Sequence, residues 1–126
     1  MSLELLVTDK APSAVGPYSQ GVKAGNFVFS SGQLPINPEN GQMLTGDIQE
    51  QTKQSLENVK AVLKAGGASL EDVVKVTVFV TDMGKFSLIN EIYAQYFTNH
   101  KPARSLVEVS KLPLNGEIEI EAIAVL

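Results

Sequence analysis

The order strands, helix, strand, helix, strands predicts an α+β domain in which two helices cover one face of a mostly antiparallel sheet. Three observations carry this: two segments with apolar residues at helical spacing, an alternating Val73–Val80 run between them, and short alternating segments toward both ends. With 126 residues, 44% of them hydrophobic, and no repeat, low-complexity tract or linker, the chain reads as a single domain, 1–126.

Each element has a local cause. A short apolar stretch (Leu3, Leu5, Val7) precedes Ala11–Tyr18, where Pro12, Gly16 and Pro17 prevent a regular element. Ser19–Lys23 and Phe27–Ser31 read as a hairpin turning at Ala24-Gly25-Asn26. Pro35, Pro38 and Gly41 make the stretch from Leu34 through Gly46 a loop. Asp47 with Glu50 has the form of a capping box. Ile48, Thr52, Leu56, Val59 and Leu63 then form a helical stripe, stopped by Gly66-Gly67. Ser69 and Asp72 repeat the capping pattern for one turn. Alternation in Val73–Val80 puts Val74, Val76, Val78 and Val80 on one face, with Lys75, Thr77 and Phe79 on the other. A second helix is expected from Lys85 to Phe97, with Phe86, Ile89, Tyr93 and Tyr96 on its inner stripe and Pro102 closing it off.

Ala103–Val109 and Glu117–Val125 are the last two strands, joined around Pro113-Leu114-Asn115-Gly116. In the first, Ser105, Val107 and Val109 oppose Arg104, Leu106 and Glu108; in the second, Ile118, Ile120, Ala122 and Ala124 oppose Glu117, Glu119, Glu121 and Ile123. Paired as an antiparallel hairpin with their apolar faces in the core, these strands put Arg104 on the face of Glu119 and Glu121. Such a face, too apolar for solvent and too charged for a core, is the kind that another copy of the chain completes.

Composition excludes several kinds of chemistry. There is no cysteine and one histidine, His100, so disulfides, thiolate or multi-His metal sites and Cys nucleophiles are ruled out. A net charge of −4 disfavours sequence-independent binding to nucleic acid or to an anionic membrane. Met1–Leu5 shows no charged segment leading into an apolar one, and no apolar run approaches the roughly 20 residues of a membrane span, so a cytoplasmic location is expected. Neither G-x-x-x-x-G-K-[ST] nor G-x-G-x-x-G occurs, which leaves nucleotide cofactors without support. His100 reads as a solvated loop residue, Asn90 as a polar helix position and Tyr18 as a ring packed over a Gly-Pro turn. At Ser30-Ser31-Gly32 the glycine would let a ligand approach backbone N–H groups.

Among ten cationic residues nine are lysines, and Arg104 is the single arginine. An arginine fork grips a carboxylate bidentately, which a lysine does not do, and a neighbouring Glu can act as general base on water. The same residues also suit a cross-strand ion pair between Arg104 and Glu119 or Glu121. Residue type and parity leave both readings open.

Longer motifs point further. Ala11-Pro12, Gly16-Pro17-Tyr18-Ser19-Gln20-Gly21 and Ser31-Gly32-Gln33-Leu34-Pro35 resemble the N-terminal signature of the Rid (YjgF/RidA) family. So do Gln51-Thr52 and Asn58 through Leu63. Lys101-Pro102-Ala103-Arg104-Ser105, Val107-Glu108-Val109, Leu112-Pro113 and Ile118-Glu119-Ile120-Glu121-Ala122 are similar to its most diagnostic stretch. The resemblance spans essentially the whole chain in order. It implies a chorismate-mutase-like fold, a homotrimer with clefts between subunits, and an enamine/imine deaminase that hydrolyses 2-aminoacrylate and related 2-imino acids to 2-keto acids and ammonia. It gives Arg104 the substrate carboxylate and Glu119 the attacking water, with Tyr18, Ser31, Gly32 and Asn90 completing the cleft and no metal or organic cofactor. Leu106 stands where the family often has Cys, which removes any thiol role and bears on substrate size. A non-catalytic trimer that binds small carboxylates for a regulatory partner is the alternative. A nuclease role, also attached to the family, sits poorly with the acidic charge.

Overall fold

A computed structural model describes residues 3–126; Met1 and Ser2, which begin the stretch read for a leader, lie outside the described residues. The elements are β1 (Leu3–Leu6), β2 (Gly21–Ala24), β3 (Phe27–Ser30), α1 (Ile48–Ala65), β4 (Val73–Val80), α2 (Phe86–Tyr96), β5 (Ala103–Glu108) and β6 (Ile118–Val125). They form one sheet in the order β1-β2-β3-β6-β4-β5. Both helices pack on one face, as an α+β domain requires.

Local chemistry starts and stops the helices. The Asp47 carboxylate accepts a 2.9 Å hydrogen bond from the Gln49 backbone N–H and so caps α1. Gly67, at φ 86°, turns the chain away after it. Leu56, Val59, Val62 and Leu63 are buried against the sheet, where Val28, Val76, Val78, Ile118 and Ile120 meet them. The opposite flank of α1 is polar yet also buried. Asn58 donates to the Leu34 and Ile36 carbonyls at 3.1 and 2.9 Å, which fastens the long loop to the helix. In α2 the buried stripe begins at Ile89; Phe86, at the first helical position, stays exposed, contrary to the stripe read from sequence. The helix also ends before Pro102 is reached, with the Phe97 N–H bonded to Tyr93. His100 is not a solvated loop residue: its ring Nε2–H donates to the Val73 carbonyl and ties the loop to β4.

Two strand readings are corrected. The register of β4 against β6 slips between Val73 and Lys75, so Val73 is buried and Val74 points outward at 45% exposure. A bulge of this kind shifts the alternation by one residue, which a strict period of two cannot anticipate. The second correction is larger. β5 does not pair with β6; it pairs in parallel with β4, while β6 lies between β3 and β4. Strand–helix–strand connections favour parallel pairing because the helix must cross over the sheet.

That pairing reverses the face of β5. Val76, Val78 and Val80 face the helices, and their neighbours across the parallel ladder are Arg104, Leu106 and Glu108. Glu119 and Glu121 pair with Phe79 and Thr77 on the other face. Arg104 therefore lies on the helix side of the sheet and the two glutamates on the uncovered side. The uncovered side is broadly apolar: Leu3, Leu5, Phe27, Phe29 and Val107 are all exposed, interrupted by Lys75 and the glutamates.

Candidate active site

The chemically able residues form two groups. The first surrounds Glu119. Gln33 and Ile120 exchange backbone hydrogen bonds of 2.8 and 3.1 Å, which brings the Ser31-Gly32 segment alongside β6. A Cβ at position 32 would come within 2.7 Å of the Glu119 carboxyl carbon, so glycine there lets the carboxylate lie against the backbone. The Ser31 hydroxyl donates to the Ser19 carbonyl at 2.6 Å and its N–H to Gln20 at 2.9 Å. Gln20 in turn donates to the carbonyls of Thr8, Ala11 and Pro12, which holds the irregular segment in place. Tyr18, next to Ser19, is half exposed, with its hydroxyl accepting from the Val15 N–H at 3.4 Å.

Glu119 is half-buried. Burial pushes its carboxyl above the usual carboxylate range, and the neighbouring charge of Glu121 pushes it further. Among the described residues no cation offsets either effect.

The second group surrounds Arg104. Its Nη1 donates to Oδ1 of Asn90 at 2.8 Å, and its guanidinium carbon lies 4.7 Å from the centroid of the Tyr93 ring. Leu106, two residues along the same strand face, packs against the core beside it. Burial raises the Tyr93 hydroxyl above its ordinary value, with the charge of Arg104 pulling the other way. That hydroxyl is buried and has no hydrogen-bond partner among the described residues.

Of the residues singled out from sequence, Ser31, Gly32 and Glu119 come together, and so do Arg104 and Asn90. The two groups do not meet, because they occupy opposite faces of one sheet. The cross-strand ion pair is excluded with them: among the described residues the one ion pair joins Lys85 and Glu117, at 3.1 Å. Tyr93 packs against the core, as its place on the inner stripe of the helix predicts, and its ring also lies against Arg104, a contact that the sequence analysis did not foresee. Its position three residues after Asn90, on the same side of α2, was the available signal. Concavities of about 410, 920 and 220 Å³ hold neither Arg104 nor Glu119; the smallest includes Tyr18 and Ser19. Among the described residues no group of three His, Asp or Glu side chains is arranged to hold a metal ion, and no helix is long and apolar enough to cross a membrane.

Comparison with known proteins gives a consistent result. Residues 8–126 match the family model described as endoribonuclease L-PSP. A RutC family protein of Pyrococcus abyssi is 56% identical over 124 residues, 98% of each chain. The 2-iminobutanoate/2-iminopropanoate deaminase of Escherichia coli is 50% identical over 123 residues, 95% of each. The crystal structure of E. coli TdcF with bound serine superposes with a TM-score of 0.93 at 48% identity, covering 98% of both chains.

Proposed function

The chain belongs to the Rid (YjgF/RidA) family, and on that premise we propose that it is an enamine/imine deaminase whose site is assembled between copies of the chain in a homotrimer. The substrates are 2-aminoacrylate and related 2-imino acids, and the products are 2-keto acids and ammonia. The observation that carries this reading is Arg104: it is held in place by Asn90, and among the described residues no carboxylate is paired to it.

The chemistry follows from the two groups. A 2-imino acid presents a carboxylate beside an electrophilic C=N carbon. Arg104 binds the carboxylate through a charge-assisted fork, a contribution of roughly 1.5–3 kcal/mol per hydrogen bond, and so orients that carbon. Glu119 takes a proton from water as its oxygen adds to the carbon. Glu119 passes that proton to the imine nitrogen, which gives a neutral carbinolamine. It then takes the hydroxyl proton as the C–N bond breaks to form the carbonyl and delivers it to the departing nitrogen, which leaves as ammonia. General acid–base assistance of this kind is worth roughly 10²–10⁴ in rate. Ser31, the Gly32 backbone, Tyr18 and Asn90 complete the cleft in this reading.

Because Arg104 and Glu119 lie on opposite faces of one sheet, a single chain offers half of each site. The apolar uncovered sheet face supports an assembly that would bring the Arg104 edge of one copy to the Glu119 side of the next. Mixing two inactive variants tests both ideas. Arg104→Ala and Glu119→Gln, each silent alone, are unfolded and refolded together and supplied with imine freshly made by an amino-acid oxidase. Random mixing restores an intact Arg104–Glu119 pair in about one quarter of inter-subunit sites, and ammonia release should recover to that extent. A site within one chain would recover nothing. A wild type that binds 2-keto acid without accelerating ammonia release would instead be the non-catalytic binder. No observation favours the endoribonuclease activity in the family model's description, and the net charge of −4 weighs against it.

A further inference from the structure

We propose that Asn90 and Tyr93 are positioning residues that aim the Arg104 guanidinium, leaving its Nε–Nη2 edge to grip the substrate carboxylate. The inference rests on the carboxylate-clamp reading of Arg104 given above. An arginine side chain is long and flexible, and it clamps well only when its plane and its donor edge are set beforehand. β5 fixes the base of Arg104 through its parallel ladder with β4. The Tyr93 ring lies under the guanidinium, 4.7 Å from ring centroid to guanidinium carbon, and fixes the plane. Oδ1 of Asn90 accepts one Nη1 hydrogen at 2.8 Å and fixes rotation within that plane. The two anchors stand one turn apart on α2, so a single helix face supplies both.

The kind of anchor matters as much as its geometry. An amide oxygen occupies one of five N–H donors and leaves the positive charge whole. A carboxylate at position 90 would also hold the arginine but would neutralise it and compete with the substrate. At Tyr93 the ring supplies the contact, since the buried hydroxyl bonds to nothing among the described residues.

The test uses full-length Asn90→Asp, Tyr93→Leu and Tyr93→Phe proteins. It reads kcat and KM for 2-iminobutanoate, melting temperature, and the Kd of 2-oxobutanoate by calorimetry. Asn90→Asp is expected to keep or raise the melting temperature while raising KM and Kd by about tenfold or more. Tyr93→Leu should raise both by about three- to tenfold with kcat within about twofold of wild type, and Tyr93→Phe should restore them. The proposal is overturned by wild-type KM and Kd in Asn90→Asp, by a Tyr93→Phe protein as impaired as Tyr93→Leu, or by no 2-oxobutanoate binding in the wild type. If the wild type binds 2-oxobutanoate but releases no ammonia from imines, the deaminase reading falls, and the Kd series alone decides the positioning roles.

Discussion

Glu119 shows how a single residue's surroundings set its chemistry. Burial first, and the charge of Glu121 second, raise its carboxyl above the ordinary value of 4.5, so the proton is held to higher pH than on a surface glutamate. As the proposed general base Glu119 must be ionised, so the acidic limb of the kcat/KM profile should report its carboxyl, with the charge of Glu121 pushing that limb upward. Glu121→Gln removes the repelling charge and should move that limb to lower pH; a pH–rate profile that keeps its position would show that Glu119 is not the titrating base. The same shift has a stability consequence. A carboxyl whose folded pKa is raised favours the folded state at low pH, and that contribution is lost as pH rises through the raised value. Residue type made Arg104 and Glu119 visible in the sequence, because a lone arginine and an alternating glutamate run are rare features on a half-apolar strand. Tyr93 stayed hidden, since an aromatic at helical spacing is packed in the core far more often than it supports a charge.

At the scale of elements, α1 does more than cover the sheet. Its buried polar flank holds the loop that leads from Gly32 to the helix, chiefly through the two Asn58 hydrogen bonds. Asn58→Ala leaves the Leu34 and Ile36 carbonyls without that donor and should cost about 1–3 kcal/mol, measurable as a shift in the urea midpoint. The caps and stops of α1 were readable from sequence because Asp47 and Gly66-Gly67 act locally. The bulge at Val73-Val74 was not, since it depends on what lies across the ladder. β5 failed for a different reason. With Val107 and Val109 on one face and Leu106 alone between Arg104 and Glu108 on the other, hydrophobicity favoured the side that the parallel ladder turns away from the helices. The β4–α2–β5 order did contain the information, through the rule that a helical crossover joins parallel strands.

Over the whole molecule, the unpaired sheet face is the largest unfinished feature. Phe29, at 38% exposure, points from that face away from the helices, so Phe29→Glu should leave the folded chain intact. It should dissociate the proposed trimer and abolish imine hydrolysis. Light scattering would report the mass and circular dichroism the fold; a variant that stays trimeric and active would refute assembly through this face. The order of the two helices and five of the six strands, and the ends of α1, were determined by the sequence itself, because each depends on neighbours a few positions away; β1, read only as an apolar stretch, was recognisable as a strand only through its pairing with β2. Which of the residues able to do chemistry meet was decided only by the tertiary structure. Strand order and direction assign every alternate side chain to one face or the other, and parallel pairing of β5 with β4 put Arg104 and Glu119 on opposite sides of the sheet.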